Sequence, residues 1–493
     1  MLLVLLEMLL VLLLAINAGN SVRIRTANKG EAPFFYDEYG RVRIFHGINR
    51  VEKGYPWYYE EMLNSDAEGD LYESLGFNAI RLGWMWSGFE PAENQYNVSY
   101  FRVMSKIVER LKTRNVYTLL DMHQDVLSSE YCLYDGVPRW VIQKGKPTVK
   151  NMFPWPQKGG CSTRAWGMNY VTEEVAQMFQ NIYDNYGKTE SQTGMRDDLV
   201  DFWRESSKYW SNNSHVLGYE LINEPFAGNF FKDLMLMVPG NAGRENLMPL
   251  YDILAREIRS VDPDHIIFYE PVTWGMIFNS KIIGSGFDHV PGDILSTRAS
   301  QYTNTSAYSF HYYCTAIDTS YPKYPAVCNN FLGPSIFKSA ADIVAEIGGA
   351  AMLTEFETCS DGSSPLLYKE CKRILDFADQ YFISWTNYYG AQTGKLELSA
   401  NWTDIFSRTY AQAISGIPLN TTFNTDTKQY SFCWKPNYSI SQPTIIYYNP
   451  QQYNSSIEGR IHTTNGLSVT LSGSQIYLSN QINSFGEKCV SIE

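Results

Sequence analysis

Between residues 41 and 416 the chain alternates short apolar runs with amphipathic segments, and eight of the runs are long enough to be strands, at 44–49, 78–84, 116–123, 216–224, 266–271, 307–313, 351–356 and 381–388. A strand buried on both faces reads as a continuous apolar run, whereas an outer helix shows one apolar stripe. The intervening segments carry that stripe. Phe101, Met104, Ile107, Val108 and Leu111 share one helical face, and Leu247, Leu250, Tyr251, Leu254, Ile258 and Val261 share another. Eight strand–helix units predict an α/β fold, a closed (β/α)8 TIM barrel over 20–416, with the chemistry at the carboxyl ends of the strands.

After residue 416 the texture changes. Short segments rich in Thr, Ser, Tyr and Val, at 428–434, 444–448, 468–472 and 475–478, alternate with Asn, Gly, Pro and Ser clusters. This predicts a small C-terminal antiparallel β-sandwich domain over 417–493. At the other end, a leucine-rich run closed by Ala15-Ile16-Asn17-Ala18-Gly19 reads as a secretory signal peptide over 1–19 rather than a membrane anchor. Residues 1–7 nearly repeat in 8–14, so a start at Met8 would leave a cleaner signal without Glu7.

Cysteines and sequons agree with that route. The eight cysteines fall into near neighbours, and the expected pairs are Cys132 with Cys161, Cys314 with Cys328, Cys359 with Cys371 and Cys433 with Cys489. None has zinc-ligand spacing, and neither a metal nor a cofactor is expected. Seven Asn-x-Ser/Thr sequons, at Asn97, Asn212, Asn304, Asn401, Asn420, Asn437 and Asn454, are candidate glycosylation sites. The protein is expected to be secreted, a digestive or lysosomal compartment being compatible. A net charge of −12 argues against a nucleic-acid partner.

The fourth run ends in Leu221-Ile222-Asn223-Glu224-Pro225, a carboxylate at the tip of a buried strand, broken off by proline. The other ends supply Arg81, His123, His311 with Tyr313, Glu355 and Trp385. So many polar and aromatic groups on one rim are not explained as core. Carboxylates on the fourth and seventh strands face each other across a barrel mouth, as glycosidic cleavage requires. Burial would keep Glu224 protonated, while Arg81 and Tyr313 would keep Glu355 ionised.

Asn223-Glu224-Pro225, Thr354-Glu355-Phe356, Asp121-Met122-His123-Gln124-Asp125, His311-Tyr312-Tyr313 and Ser384-Trp385 resemble the motifs of glycoside hydrolase family 5 over about residues 42–416. The resemblance implies a retaining double displacement with Glu224 as acid/base and Glu355 as nucleophile. It implies Asn223 on the sugar 2-hydroxyl, Arg81 and Tyr313 holding the nucleophile, and His123, His311 and Trp385 lining the sugar subsite. Finer similarity to the endoglycoceramidases lies in His46-Gly47-Ile48-Asn49 with Lys53, Gln124 to Ser128, Gly136 to Trp140, Met152 to Pro156, Gly243 to Asn246 and Ile266 to Pro271. It implies a glycosphingolipid substrate cut between oligosaccharide and ceramide, with Lys53, Asp125 and Trp166 touching sugar. A β-glucanase or exo-β-glucosidase on the same barrel, and a non-catalytic glycolipid-binding protein, are the alternatives.

The stretch from Phe230 through Phe231 and Met235 to Val238 is strongly apolar. It reads either as a lipid-facing lip that meets a membrane or micelle surface or as part of the outer helical layer. The protein is expected to be a monomer, and an activator protein is compatible with this reading. Among rival carboxylates, Glu220 is expected deeper in the barrel, paired with an arginine; Glu270 and Glu357 also compete, and Glu355 is preferred because it sits on the strand end.

Overall fold

The computed structural model describes residues 23–145, 149–187, 193–272, 285–293, 301–313, 328–356, 365–389, 396–453, 457–481 and 484–493. Eight strands close a barrel: β1 His46–Arg50, β2 Ala79–Gly83, β3 Tyr117–Asp121, β4 Val216–Glu220, β5 Ile266–Tyr269, β6 Ser306–Tyr312, β7 Ala350–Phe356 and β8 Ser384–Asn387. Each is parallel to both neighbours, β8 closing onto β1. All eight anticipated strands are present. The fourth ends at Glu220, so Asn223 and Glu224 stand on the segment beyond it, and the eighth begins only at Ser384, Tyr381 ending a helix.

The helix Val98–Lys112 shows why the alternation folds this way. Met104, Ile107, Val108 and Leu111 are buried against the barrel, while Phe101 is half-buried and packs on Trp210. Its first turn is capped by Asn97, whose side chain accepts a hydrogen bond from the Tyr100 amide. Beneath the barrel, Phe35 stacks on Phe268 and meets Phe45 edge to face, so the N-terminal strands floor the strand starts.

Two antiparallel sheets form the sandwich. The larger contains Tyr410–Ile414, Thr444–Tyr447, Gln475–Asn480 and Leu467–Ser472, together with Ile24–Arg25, Phe35–Asp37 and Val42–Arg43 from before the barrel. The smaller contains Gly416–Phe423, Tyr430–Pro436, Lys488–Ile492 and Ile461–Thr463. The expected start at 417 therefore differs from the observed sheet, which takes in Tyr410–Ile414 and three strands near the N-terminus. Local pattern cannot show that: these strands pair across several hundred residues, and a shared core of Phe432, Trp434, Ile446, Ile476 and Val490 fixes the pairing.

Sandwich and barrel meet at Gly76, the left-handed C-cap of the helix Ala67–Leu75. A Cβ there would lie 2.3 Å from the Tyr447 ring, so the residue has to be glycine both for its φ of +76° and for the close approach. The Tyr447 and Tyr410 hydroxyls donate to the carbonyls of Ser74 and Gly76 across this seam.

Cys132 is bonded to Cys161 and Cys433 to Cys489. Cys328 and Cys371 are also disulfide-bonded, whereas Cys314 and Cys359 lie outside the described residues. Asn97, Asn212, Asn401, Asn420 and Asn437 are exposed and Asn304 is half-buried; Asn454 and the anticipated leader over 1–19 lie outside the described residues. Among the described residues, no helix is long and apolar enough to cross a membrane.

Candidate active site

Arg81 anchors the floor of the site. Its inward position on β2 places a fully buried guanidinium among four acceptors. It donates from Nη1 to Asn49 Oδ1 at 2.9 Å and to Glu355 Oε2 at 3.1 Å, from Nη2 to Asn223 Oδ1 at 2.8 Å, and from Nε to Glu220. Asp121 Oδ1 lies a further 3.1 Å from Nη2. A buried charge needs such pairing, and Glu220, expected to pair with an arginine, is part of it.

Glu355 reaches the mouth through a shift in register. Between Leu353 and Glu355 the pairing of β7 with β6 slips, so that Leu353 pairs with Phe310 and Glu355 with His311. Such an irregularity re-aims a side chain against the simple alternation of a strand. The Tyr313 hydroxyl donates to Glu355 Oε1 at 2.6 Å. Burial and the Glu355 charge push that hydroxyl well above the ordinary tyrosine range, so it remains a donor.

Glu224 stands opposite. One oxygen of Glu224, one of Glu355 and a ring nitrogen of His311 all lie within 4.8 Å of one another. Burial, then the nearby Asp125 charge, push the Glu224 carboxyl up to about 7. His311 Nδ1 is 3.0 Å from Glu224 Oε1, and burial pushes that imidazole down to about 4, holding it neutral. Glu224 adopts φ of +43°, a left-handed conformation uncommon outside glycine, with proline following. Holding it there costs about 1–3 kcal/mol, which the surrounding hydrogen bonds must offset. The Glu224 amide donates to Glu270 Oε2 at 2.8 Å. Gln124 Nε2 donates to the Asn223 carbonyl at 2.6 Å, and Asn223 Nδ2 returns a bond to the Gln124 carbonyl.

A second set of charges borders the pair. Lys53 Nζ donates to Asp125 Oδ2 at 2.6 Å, and the Tyr134 hydroxyl donates to the same oxygen at 2.8 Å. His123 lies between Asp121, 2.6 Å from Nδ1, and Asp125, 3.5 Å from Nε2. Burial works against its charge, but the two carboxylates outweigh burial and raise His123 to about 8. Burial likewise opposes the Asp125 charge, yet Lys53 and His123 hold that carboxyl well below its usual range.

Lys53, Arg81, His123, Asp125, Asn223, Glu224, His311, Tyr313 and Glu355 thus form one contiguous cluster. Trp166 stands at its edge, 43% exposed, its ring edge-on to Tyr170, whose hydroxyl accepts from Gln124. The Cys132–Cys161 disulfide ties this loop to the one after β3. Trp385 is a correction. It is wholly buried, stacked on His46 at 4.3 Å and packed against Phe77, Phe356 and Phe406 on the helix side of β8. Alternation turns Trp385 outward, and Tyr388, three residues on, lies over Lys53 at 5.3 Å and senses the Glu355 charge.

Asn49, Tyr134 and Tyr388 join the site without having been expected there, whereas Glu270, expected only as a rival carboxylate, accepts the Glu224 amide. Glu270-Pro271 repeats the Glu224-Pro225 pattern at the end of the next strand. Glu357 lies outside the described residues.

The apolar stretch divides. Phe230 and Phe231 are half-buried, stacked on each other at 4.3 Å with Phe231 against Trp155. Beyond them Asp233 caps the turn Leu234–Met237, where Leu234 is 74% and Met235 56% exposed while Leu236 is buried. Met237, Val238, Met152 and Trp155 are also exposed.

A family model for cellulase (glycosyl hydrolase family 5) matches residues 36–393, and one for the glycoside hydrolase family 5 C-terminal domain matches 408–492. The chain belongs to glycoside hydrolase family 5. Within this family, it is similar to an endoglycoceramidase of Cyanea nozakii, 31% identical over 88% of this chain and 84% of that one. It is 33% identical to an endoglycoceramidase of Hydra vulgaris over 85% of this chain and 80% of that one. The fold is shared with endo-glycoceramidase II from Rhodococcus sp. in its lactosyl-enzyme intermediate, with TM-score 0.73 and 20% identity, covering 93% of this chain and 99% of that one. The same enzyme's ganglioside GM3 complex also has TM-score 0.73 at 20% identity, covering 94% and 99%. A family 5 hydrolase is a glycosidase, and one oxygen of Glu224 lies within 4.8 Å of one of Glu355, which fits the close carboxyl pair of a retaining enzyme rather than the wider inverting pair.

Proposed function

We propose that the protein is a retaining, endo-acting glycosidase that cleaves the β-glycosidic bond between the oligosaccharide and the ceramide of glycosphingolipids. The observation that carries the mechanism is the pair of facing carboxyls with opposite environments. Glu355 accepts from a guanidinium and a hydroxyl, as a carboxylate nucleophile does. Glu224 is pushed toward neutrality and has a proton to give. Glu355 attacks the anomeric carbon as the bond to the ceramide oxygen breaks, and Glu224 gives that oxygen its proton. Glu224 then takes a proton from water, whose oxygen displaces Glu355 and frees the sugar.

The lipid assignment is supported by the endoglycoceramidase relatives and by the exposed lip, which begins six residues after Glu224 and ends in Leu234, Met235, Met237 and Val238. An exposed apolar strip beside a polar sugar site fits a two-part substrate, with the lip meeting lipid at a membrane or micelle surface. Lys53, Asp125 and Trp166 are the sugar contacts of this reading, with Tyr388 in the place first given to Trp385. Disulfides and mostly exposed sequons support export through the secretory route.

Incubation with a ganglioside and, separately, with glucosylceramide, followed by mass identification of the products, tests the assignment. Intact oligosaccharide plus ceramide from the ganglioside is the expected result, and release of glucose plus ceramide from glucosylceramide would bound the head group. Glucose released from cellobiose, with no intact oligosaccharide from the ganglioside, would favour the β-glucosidase or glucanase alternative.

A further inference from the structure

The proposed chemistry gives no task to Glu270, a buried carboxyl beside the acid/base. Glu270 follows β5 directly, is 1% exposed, and is placed by a 2.6 Å hydrogen bond from the Tyr251 hydroxyl to its own carbonyl. Its Oε2 accepts the amide hydrogen of Glu224, and its Oε1 lies 3.5 Å from His311 Nδ1, the nitrogen that also faces the Glu224 carboxyl. One side chain therefore touches both the backbone of Glu224 and the imidazole beside its carboxyl.

That backbone contact falls where it has the most leverage. Glu224 has a left-handed backbone, its peptide amide turned into the barrel, and Pro225 restricts how it can relax. Rotation of φ swings the Cα–Cβ bond, so whatever fixes the amide also fixes the direction of the carboxyl. We propose that Glu270 is a positioning residue for the acid/base: by holding the Glu224 amide and sharing His311 with it, Glu270 fixes the turn that aims the Glu224 carboxyl at the leaving oxygen.

The groups facing Glu270 bear on its charge. Glu224 and Glu220 are on one side, Arg81 and His311 on another, and the Tyr251 and Tyr308 rings close the rest. Burial, then the charges of Glu224 and Glu220, push the Glu270 carboxyl well above the usual carboxylate range. A neutral Glu270 still accepts the amide through its carbonyl oxygen and adds no negative charge beside the acid/base. Glutamine has the same shape and the same neutral acceptor, which makes the conservative variant informative.

The proposal rests on Glu224 being the acid/base, and the test separates the two. Kinetics at kcat/KM are measured on two soluble β-lactosides, one with a dinitrophenyl leaving group that departs without a proton and one with an alkyl leaving group that needs it. Glu270→Ala and Glu270→Asp are expected to lose about tenfold or more additional rate on the alkyl substrate relative to the dinitrophenyl one, with KM little changed. Glu270→Gln is expected to restore the parent ratio and the parent alkaline limb of the pH profile. Equal losses on both substrates in the Ala and Asp variants, or a Gln variant no better than Ala, would overturn the proposal. Glu224→Gln, run alongside, must itself show the leaving-group selectivity; if it does not, the acid/base assignment fails first.

Discussion

The hydroxyl of Tyr313 donates a 2.6 Å hydrogen bond to Oε1 of Glu355. Arg81 occupies the other oxygen, so the Glu355 carboxyl, the proposed nucleophile, is held at both ends and its plane is fixed. Tyr313→Phe removes one donor and keeps the ring. Loss of one such electrostatic contact is expected to lower kcat by about 10- to 100-fold, at or below the lower end of the range for a preorganised donor because Arg81 remains. Steady-state kinetics on a soluble aryl glycoside, with folding checked by circular dichroism, would show it; an unchanged kcat would mean that Arg81 alone orients Glu355.

In the proposed mechanism Glu224 is expected to set the alkaline side of the pH profile. Because burial raises its carboxyl to about 7, the proton-donating form prevails below that pH and is lost above it. Turnover of a substrate with a poor leaving group should therefore decline above about 7, roughly tenfold for each further pH step once the group is mostly ionised. Glu224→Gln should erase this limb and spare kcat/KM on a dinitrophenyl glycoside, while kcat falls because the water step loses its base. A limb that persists in the variant would assign the titration to another group.

His123 links stability to pH in the opposite sense from an ordinary carboxylate. Its folded-state value is raised from 6.5 to about 8 by Asp121 and Asp125, against the opposing effect of burial. The stabilisation is fully present below about 6.5 and is lost as pH rises through about 8. It amounts to about 2 kcal/mol. Urea unfolding of the parent and of His123→Gln at pH 6 and pH 9 should give a gap between the two proteins that narrows at the higher pH.

The exposed turn after Phe231 should matter only when the substrate is a lipid. Leu234→Ser with Met235→Ser changes two side chains that are 74% and 56% exposed. Activity on ganglioside in vesicles is expected to drop severalfold while a soluble aryl lactoside is cut at the parent rate. Parallel losses on both substrates would remove the lip from lipid recognition.

Trp385 should behave as a core residue. Trp385→Ala removes a buried ring stacked on His46 and packed against Phe77, Phe356 and Phe406, and is expected to destabilise by about 3–5 kcal/mol. KM for a soluble substrate, measured well below the lowered melting temperature, should stay near the parent value. A raised KM in a protein of parent stability would return Trp385 to the sugar site.

Much of this was legible in the sequence because it depends on local pattern. Eight apolar runs separated by one-sided helices can bury their surface together by closing a barrel, and a polar residue at the end of such a run arrives at the mouth whatever the loops do. Arg81, His123, His311 and Glu355 were placed by that argument, and Asn223 and Glu224 as well, although β4 stops at Glu220 and they stand just past it. Trp385 was misplaced for an equally local reason: alternation decides which side of the sheet a residue faces, and a run of four residues between a helix end and a loop does not reveal its phase.

Tertiary structure alone decided the rest, since each remaining feature joins residues far apart in the chain. The register shift in β7 that turns Glu355 inward is visible only against β6. The enlarged sheet needs strands before residue 44 to meet strands after residue 409, and the seam at Gly76 needs Tyr447. The carboxyl of Glu270 matters only because the end of β5 lies beside the left-handed turn at Glu224. The sequence by itself determined which groups the barrel would present, because strand ends are a local property. Which of them carries a proton, which holds a neighbour and which faces away was decided by burial and by long-range pairing, and these exist only once the barrel has closed.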